Sequence, residues 1–161
     1  MTSITNLKKS RILDQTLDEA FPATDPEHIP FGSQVLLQIK SSATRTKAGL
    51  VLSTDDVETE NDNTRIAKVI ALGSGAFKNR ETLEPWPEGS WVKPGDFVRI
   101  GLYGGDRWRK LVGVKKHVIK QRGEPDKIED EKIFAQFALI EDLNLKALVT
   151  GDPLEQSAFF E

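Results

Sequence analysis

Few residues in this chain combine the types and the spacing that bond-making chemistry needs. His28 and His117 are the two histidines; they stand far apart, no cysteine occurs to join them, and neither has a metal-ligand spacing around it. Both read as surface or packing residues. Glu58, Glu60 and Asp62 could hold a cation, but the same alternation describes a solvated acidic loop. Gly73-Ser74-Gly75 and the glycines between 101 and 105 are not followed by Lys-Ser or Lys-Thr, so a phosphate-cradling loop is not expected. No Ser/His/Asp set has a usable spacing. The chain is therefore expected not to be an enzyme, with no catalytic residues, no metal and no cofactor.

Two residue sets point to binding instead. Lys47-Ala48-Gly49-Leu50-Val51-Leu52 places a short apolar tripeptide among small, polar and charged residues, and residues 55–63 after it are too polar to pack a core. One apolar anchor in such a segment suits docking into a partner's hydrophobic groove. The same residues also read as a short strand with its apolar side chains in the core. The second set is Trp86, Trp91, Tyr103 and Trp108 with Arg99, Arg107, Arg109 and Lys110, which could stack and bind single-stranded nucleic acid. Against that stands a formal net charge of −3, so no nucleic-acid partner is expected.

These residues need a scaffold. At 161 residues the chain has room for one domain with tails, and its 38% hydrophobic content leaves some length for extension or loop. The absence of cysteine fits a reducing compartment. No signal-like N-terminus and no apolar run of membrane-spanning length occurs, so a cytoplasmic protein without a membrane partner is expected. Residues 1–31 read as an extension: Ser10 could cap a helix running to Phe21, and Pro22, Pro26 and Pro30 then impose a linker. From Phe31 onward the pattern is β. Strands are predicted over 35–40, 65–72, 96–102, 108–112, 133–140 and 145–149, with 114–121 extending the fourth and 122–130 forming a charged loop. Lys93-Pro94-Gly95 marks the turn into the third strand. Short strands with Gly/Pro turns and little helix indicate an all-β protein built on a small barrel over 32–151, followed by a tail over 152–161. Residues 41–63 and 74–90 read as non-core loops, and shortening 74–90 is expected to leave the barrel folded.

The order of these pieces resembles the chaperonin-10 family, the GroES-like co-chaperonins. Ile29-Pro30-Phe31-Gly32-Ser33-Gln34-Val35-Leu36-Leu37 looks like the family's opening strand, and Gly49-Leu50-Val51-Leu52 is similar to the end of its mobile loop. Ala67-Lys68-Val69-Ile70-Ala71-Leu72-Gly73-Ser74-Gly75, Val92-Lys93-Pro94-Gly95-Asp96-Phe97-Val98, Tyr103-Gly104-Gly105 and the run from Ala138 to Val149 follow the family's remaining motifs in sequence. Ser33-Gln34 replaces the usual Asp-Arg and Ala67 the usual glycine. An insertion near 114–130 and the N-terminal extension resemble phage-encoded members.

The resemblance implies a ring-shaped lid, a heptameric homo-oligomer that caps a GroEL-type chaperonin and encloses an unfolded substrate protein during ATP-dependent folding. It implies that Lys47, Gly49, Leu50, Val51 and Leu52 bind the chaperonin, that 74–90 forms a roof hairpin, and that Tyr103 faces the folding cavity or else fills the core. It further implies that the first strand, 34–40, pairs with 145–149 of the next subunit, covering edges otherwise open. The same barrel could instead serve as a structural or virion assembly component without any chaperonin.

Overall fold

The computed structural model describes residues 15–41, 65–101, 105–120 and 122–155. Among these residues six strands form one antiparallel sheet: β1 (Gln34–Ile39), β2 (Ile66–Leu72), β3 (Phe97–Ile100), β4 (Asp106–Ile119), β5 (Lys127–Glu141) and β6 (Leu145–Leu148), in the order β4-β5-β1-β2-β3-β6. β5 and β6 are separated by three strands across the sheet, yet a single 3-10 turn, Asp142–Asn144, joins them along the chain. So short a link forces the sheet to curl on itself, which produces the expected barrel-like β fold.

Alternation decides which side chains fill it. Val35, Leu37 and Ile39 of β1 point inward with Ala67 and Val69, Val98 and Ile100, Ala138 and Ile140, and Leu145. The opposite face of β1 is buried as well: Leu36 packs with Ala135 and Phe137, flanked by Trp108 and Leu139. The N-terminal segment covers this outer face, with Pro22 against buried Gln38 and His28 on Trp108, while β1 pairs along its two edges with β2 and β5. This overturns the expected pairing of 34–40 with a neighbouring subunit, because neither edge of β1 is open. Among the described residues, the edges left open are those of β4 and β6.

The Lys93-Pro94-Gly95-Asp96 turn is as expected. Asp96 N–H donates to the Lys93 carbonyl at 3.1 Å, Gly95 adopts φ +100°, and the Asp96 carboxylate accepts the Lys93 N–H at 3.0 Å. Gly73-Ser74-Gly75 has a structural purpose too. A side chain at Gly73 would collide with the Gly32 carbonyl, and the two segments bond directly, Gly75 N–H to Gly32 O at 2.9 Å and Gly73 N–H to Gln34 O at 2.8 Å.

Two expectations fail in instructive ways. Residues 74–90 are not a non-core loop: Ala76 and Phe77 are buried in the barrel core, and Trp86 packs against it. The Phe77, Trp86 and Trp91 rings pack on one another at centroid distances of 5.2–5.6 Å. Phe77 holds a left-handed φ of +58°, a strained conformation for a bulky residue that burial of its ring sustains. The single strand-like feature described there is the bridge Lys78↔Pro85. Residues 127–130, expected in a loop, belong to β5. β4 and β5 form one long hairpin, paired from Asp106↔Leu139 to Ile119↔Lys127, with a bulge at Val112 between Leu111 and Gly113.

The N-terminal segment lies on the barrel rather than beside it. Its helix α1 spans Leu17–Ala20, capped by Thr16, whose hydroxyl accepts the Glu19 N–H at 3.3 Å; the predicted cap at Ser10 falls outside the described residues. Ala20 and Phe21 pack with Ile66, Phe97, Val149 and Leu154. Buried Gln38 donates its amide to the Pro22 carbonyl at 2.7 Å. Further along, Lys110 donates to the Asp25 carbonyl at 2.7 Å, and the His28 ring lies on Trp108 at 4.4 Å.

Candidate functional site

β1 ends at Ile39 and β2 begins at Ile66, and the two strands are antiparallel neighbours. Antiparallel neighbours need only a short turn, commonly two to five residues. Here the chain makes a far longer excursion between Ser41 and Arg65. Its two stems are held together: Lys40 N–H donates to the Ile66 carbonyl at 2.9 Å. Ser41 is anchored on three sides. Its N–H donates to the Ala20 carbonyl at 2.8 Å, its hydroxyl to the Phe134 carbonyl at 3.2 Å, and its own carbonyl accepts the Gln15 side-chain amide at 2.5 Å. On the return side, Ile100 N–H donates to the Arg65 carbonyl at 2.7 Å. The barrel thus presents a tied collar from which residues 42–64 leave and to which they return.

Lys47, Gly49, Leu50, Val51 and Leu52 lie outside the described residues, as do Tyr103 and the acidic Glu58, Glu60 and Asp62. Sequence reasoning did not find the collar. Gln15, Ala20, Ser41 and Phe134 carry no motif, and their meeting depends on the N-terminal segment folding back over the barrel.

Among the described residues, the aromatic and basic side chains of the nucleic-acid alternative are spread over separate places. Trp86 and Trp91 pack with Phe77, whereas Trp108 lies between His28 and Phe137. Arg109 projects to the other side of β4 and lies over the Phe134 ring at 4.5 Å. Arg107 donates to the Gly101 carbonyl at 3.2 Å, and Lys110 is taken up by the N-terminal segment. His28 is a packing residue, its Nδ1–H donating to the Pro26 carbonyl at 2.7 Å. Among the described residues, no group of three or more histidine, aspartate or glutamate side chains is placed to hold a metal ion, and no helix is long and apolar enough to cross a membrane.

At the opposite end, a polar network fastens 74–90 to the barrel. Asp142 is buried; its carboxylate accepts the Phe77 N–H and the Leu143 N–H, each at 2.8 Å, and its own N–H donates to the Ser33 carbonyl at 3.1 Å. Glu141 accepts from Ser33 and Gln34, both at 2.6 Å, and from Arg80 at 2.8 Å.

Comparison with known proteins supplies the family. No curated protein matches the chain. A family model described as chaperonin 10 Kd subunit matches residues 27–131, just under two-thirds of the chain, taking in β1 to β4, the excursion and the aromatic segment, and ending inside the long hairpin. On this match the chain belongs to the chaperonin 10 Kd subunit family, the non-enzymatic co-chaperonins that assemble as oligomeric rings and work with GroEL-type chaperonins.

Proposed function

We propose that this protein forms a ring, heptameric in the family manner, which caps a GroEL-type chaperonin in the cytoplasm and closes a chamber around a folding substrate protein. Contact with the chaperonin is assigned to Lys47, Gly49, Leu50, Val51 and Leu52, with Leu50, Val51 and Leu52 entering a hydrophobic groove and Gly49 allowing the turn that presents them. The observation that carries this reading is the long excursion between two adjacent antiparallel strands, gathered at a collar that fixes its root. Each copy in a ring offers one such contact. Individually weak contacts then add through avidity, which suits a lid that must also leave. Tyr103, between β3 and β4, is assigned to the cavity wall.

Ring closure needs two different surfaces that complement each other. Since β1 is internal, the open edge of β6 supplies one, with Leu148 half exposed beside it. Ile29 and Phe31 support the other: they flank Pro30 just before β1, and each is 85% exposed. Two large apolar side chains at that exposure contribute almost nothing to the protomer.

The test is Val51→Asp. The ring is expected to assemble with an unchanged circular dichroism spectrum while chaperonin binding in the presence of nucleotide is lost. A carboxylate would have to be desolvated without a partner in every groove of the ring. An unfolded variant would place Val51 in a core, and a folded, fully binding variant would place the contact elsewhere. An intact wild-type ring with no affinity for any GroEL-type chaperonin would favour a structural assembly component.

A further inference from the structure

The β4–β5 hairpin outgrows the barrel. β1 covers β5 only as far as Ile39↔Gln136, so, among the described residues, 127–135 have no strand on their outer side, and β4, last in the sheet order, has none anywhere along its length. The part beyond the bulge is therefore a two-stranded arm with two open edges, roughly 20 Å long at about 3.3 Å per residue. It starts from the end of the barrel that carries the collar, since Phe134 at its root bonds to Ser41. Val114, Val118 and Ile128 lie on one face of it, continued by Leu111 just before the bulge, all at least half exposed, with Val118 directly opposite Ile128. A two-stranded ribbon alone is marginal in water, and open edges beside exposed apolar side chains invite another strand.

Charge selects the occupant. The arm half of β4 carries Lys115 and Lys116, while the arm half of β5 carries Glu129, Asp130 and Glu131 between Lys127 and Lys132; the register sets Lys115 opposite Glu131 and Lys116 opposite Asp130. Two β4 edges would bring lysines together with no acid to meet them, and two antiparallel β5 edges could match at most one acid per strand with a flanking lysine. Pairing a β4 edge with a β5 edge repeats the lysine-to-acid match and stays antiparallel. It also repeats the apolar row, placing a second Ile128 beside Val118. Such a contact uses two different surfaces and so propagates in one direction around a ring.

We propose that the arm is a self-association element: the β4 edge of one copy pairs head to tail with the 127–135 edge of β5 in the next copy of this chain. The proposal rests on the ring reading. Because each barrel is wider than a two-stranded ribbon, the arms must lean along the ring for their edges to meet.

The chain has no cysteine, which makes a clean test possible. Copies bearing Lys116→Cys and copies with a different tag bearing Glu129→Cys or Asp130→Cys are co-expressed, purified as rings and mildly oxidised. With one thiol per chain, no intrachain disulfide can form. A mixed disulfide dimer is expected, several-fold in excess of either homodimer and of a control pair, Lys93→Cys with Glu81→Cys, at exposed positions off the arm. Predominant Lys116→Cys homodimers, or no excess over the control in an intact ring, would overturn the arm pairing and leave the ring standing. Arm thiols that react freely with a bulky maleimide in the ring, and are shielded only after a GroEL-type chaperonin is added, would overturn it in favour of a chaperonin contact. A monomeric wild-type protein would overturn the ring and the arm pairing together.

Discussion

Asp142 ties three parts of the chain with one side chain and one backbone N–H: the aromatic segment through Phe77, the entry to β1 through Ser33, and its own turn through Leu143. Its carboxylate is the acceptor for a buried backbone donor, and leaving such a donor unpaired costs about 1–3 kcal/mol. Asp142→Ala is therefore expected to lower unfolding free energy by about 2 kcal/mol, with the midpoint of urea unfolding moving down and the slope unchanged. Asp142→Asn keeps one carbonyl oxygen for Phe77 but turns its NH2 toward the Leu143 N–H, so it should recover part of the loss. Equal losses for the two variants would mean that one acceptor oxygen is not enough. By contrast, the Arg80–Glu141 pair is largely solvent-exposed on the arginine side and adds little.

The segment between β2 and β3 is long and irregular, yet it behaves as a plug. Its Ala76 and Phe77 are in the barrel core, and Trp86 and Trp91 close over Phe77. Truncating a single buried phenylalanine costs about 3–5 kcal/mol, and a domain of this size has only about 5–15 kcal/mol in total. Replacing residues 74–90 by a tight turn should thus abolish the cooperative thermal transition, even though a shorter loop is cheaper to close. A variant that keeps a sharp transition within a few degrees of the wild type would show that the aromatic cluster is dispensable. The collar is the counterpart at the other end, where backbone bonds from Ala20 and Phe134 fix the root of the excursion.

Assembly belongs to the complete protein. Ile29 and Phe31 project from the barrel immediately ahead of β1, while β6 leaves an open edge. Substituting glutamate for both Ile29 and Phe31 is expected to leave the circular dichroism of the protomer unchanged, because neither side chain packs within it. Light scattering should then report a shift from ring to monomer, since the interface would have to bury two carboxylates. A ring that survives this double change would move the subunit contact away from these residues, and the β4–β5 arm would be the next surface to examine.

Local pattern alone determined much of this protein. Val35, Leu37 and Ile39 mark the inward face of a strand by alternation, the Lys93-Pro94-Gly95-Asp96 turn is written in its proline and glycine, and the order of such pieces was enough to suggest the family that the match over 27–131 established. The arm was not legible in the same way. Its strands are solvated on both faces, so 122–130 shows charge without alternation and reads as a loop, although residues 127–130 pair with 116–119. Nor could Phe77 be placed in the core beforehand, because its neighbours Trp86, Trp91 and Asp142 surround it only after the barrel has closed. The same holds for β1, whose two edges are covered by strands that follow it in the chain. Periodicity reports which face of a strand avoids water; which strand covers an edge, and what fills the end of a barrel, is decided by contacts between distant segments that only the folded chain brings together.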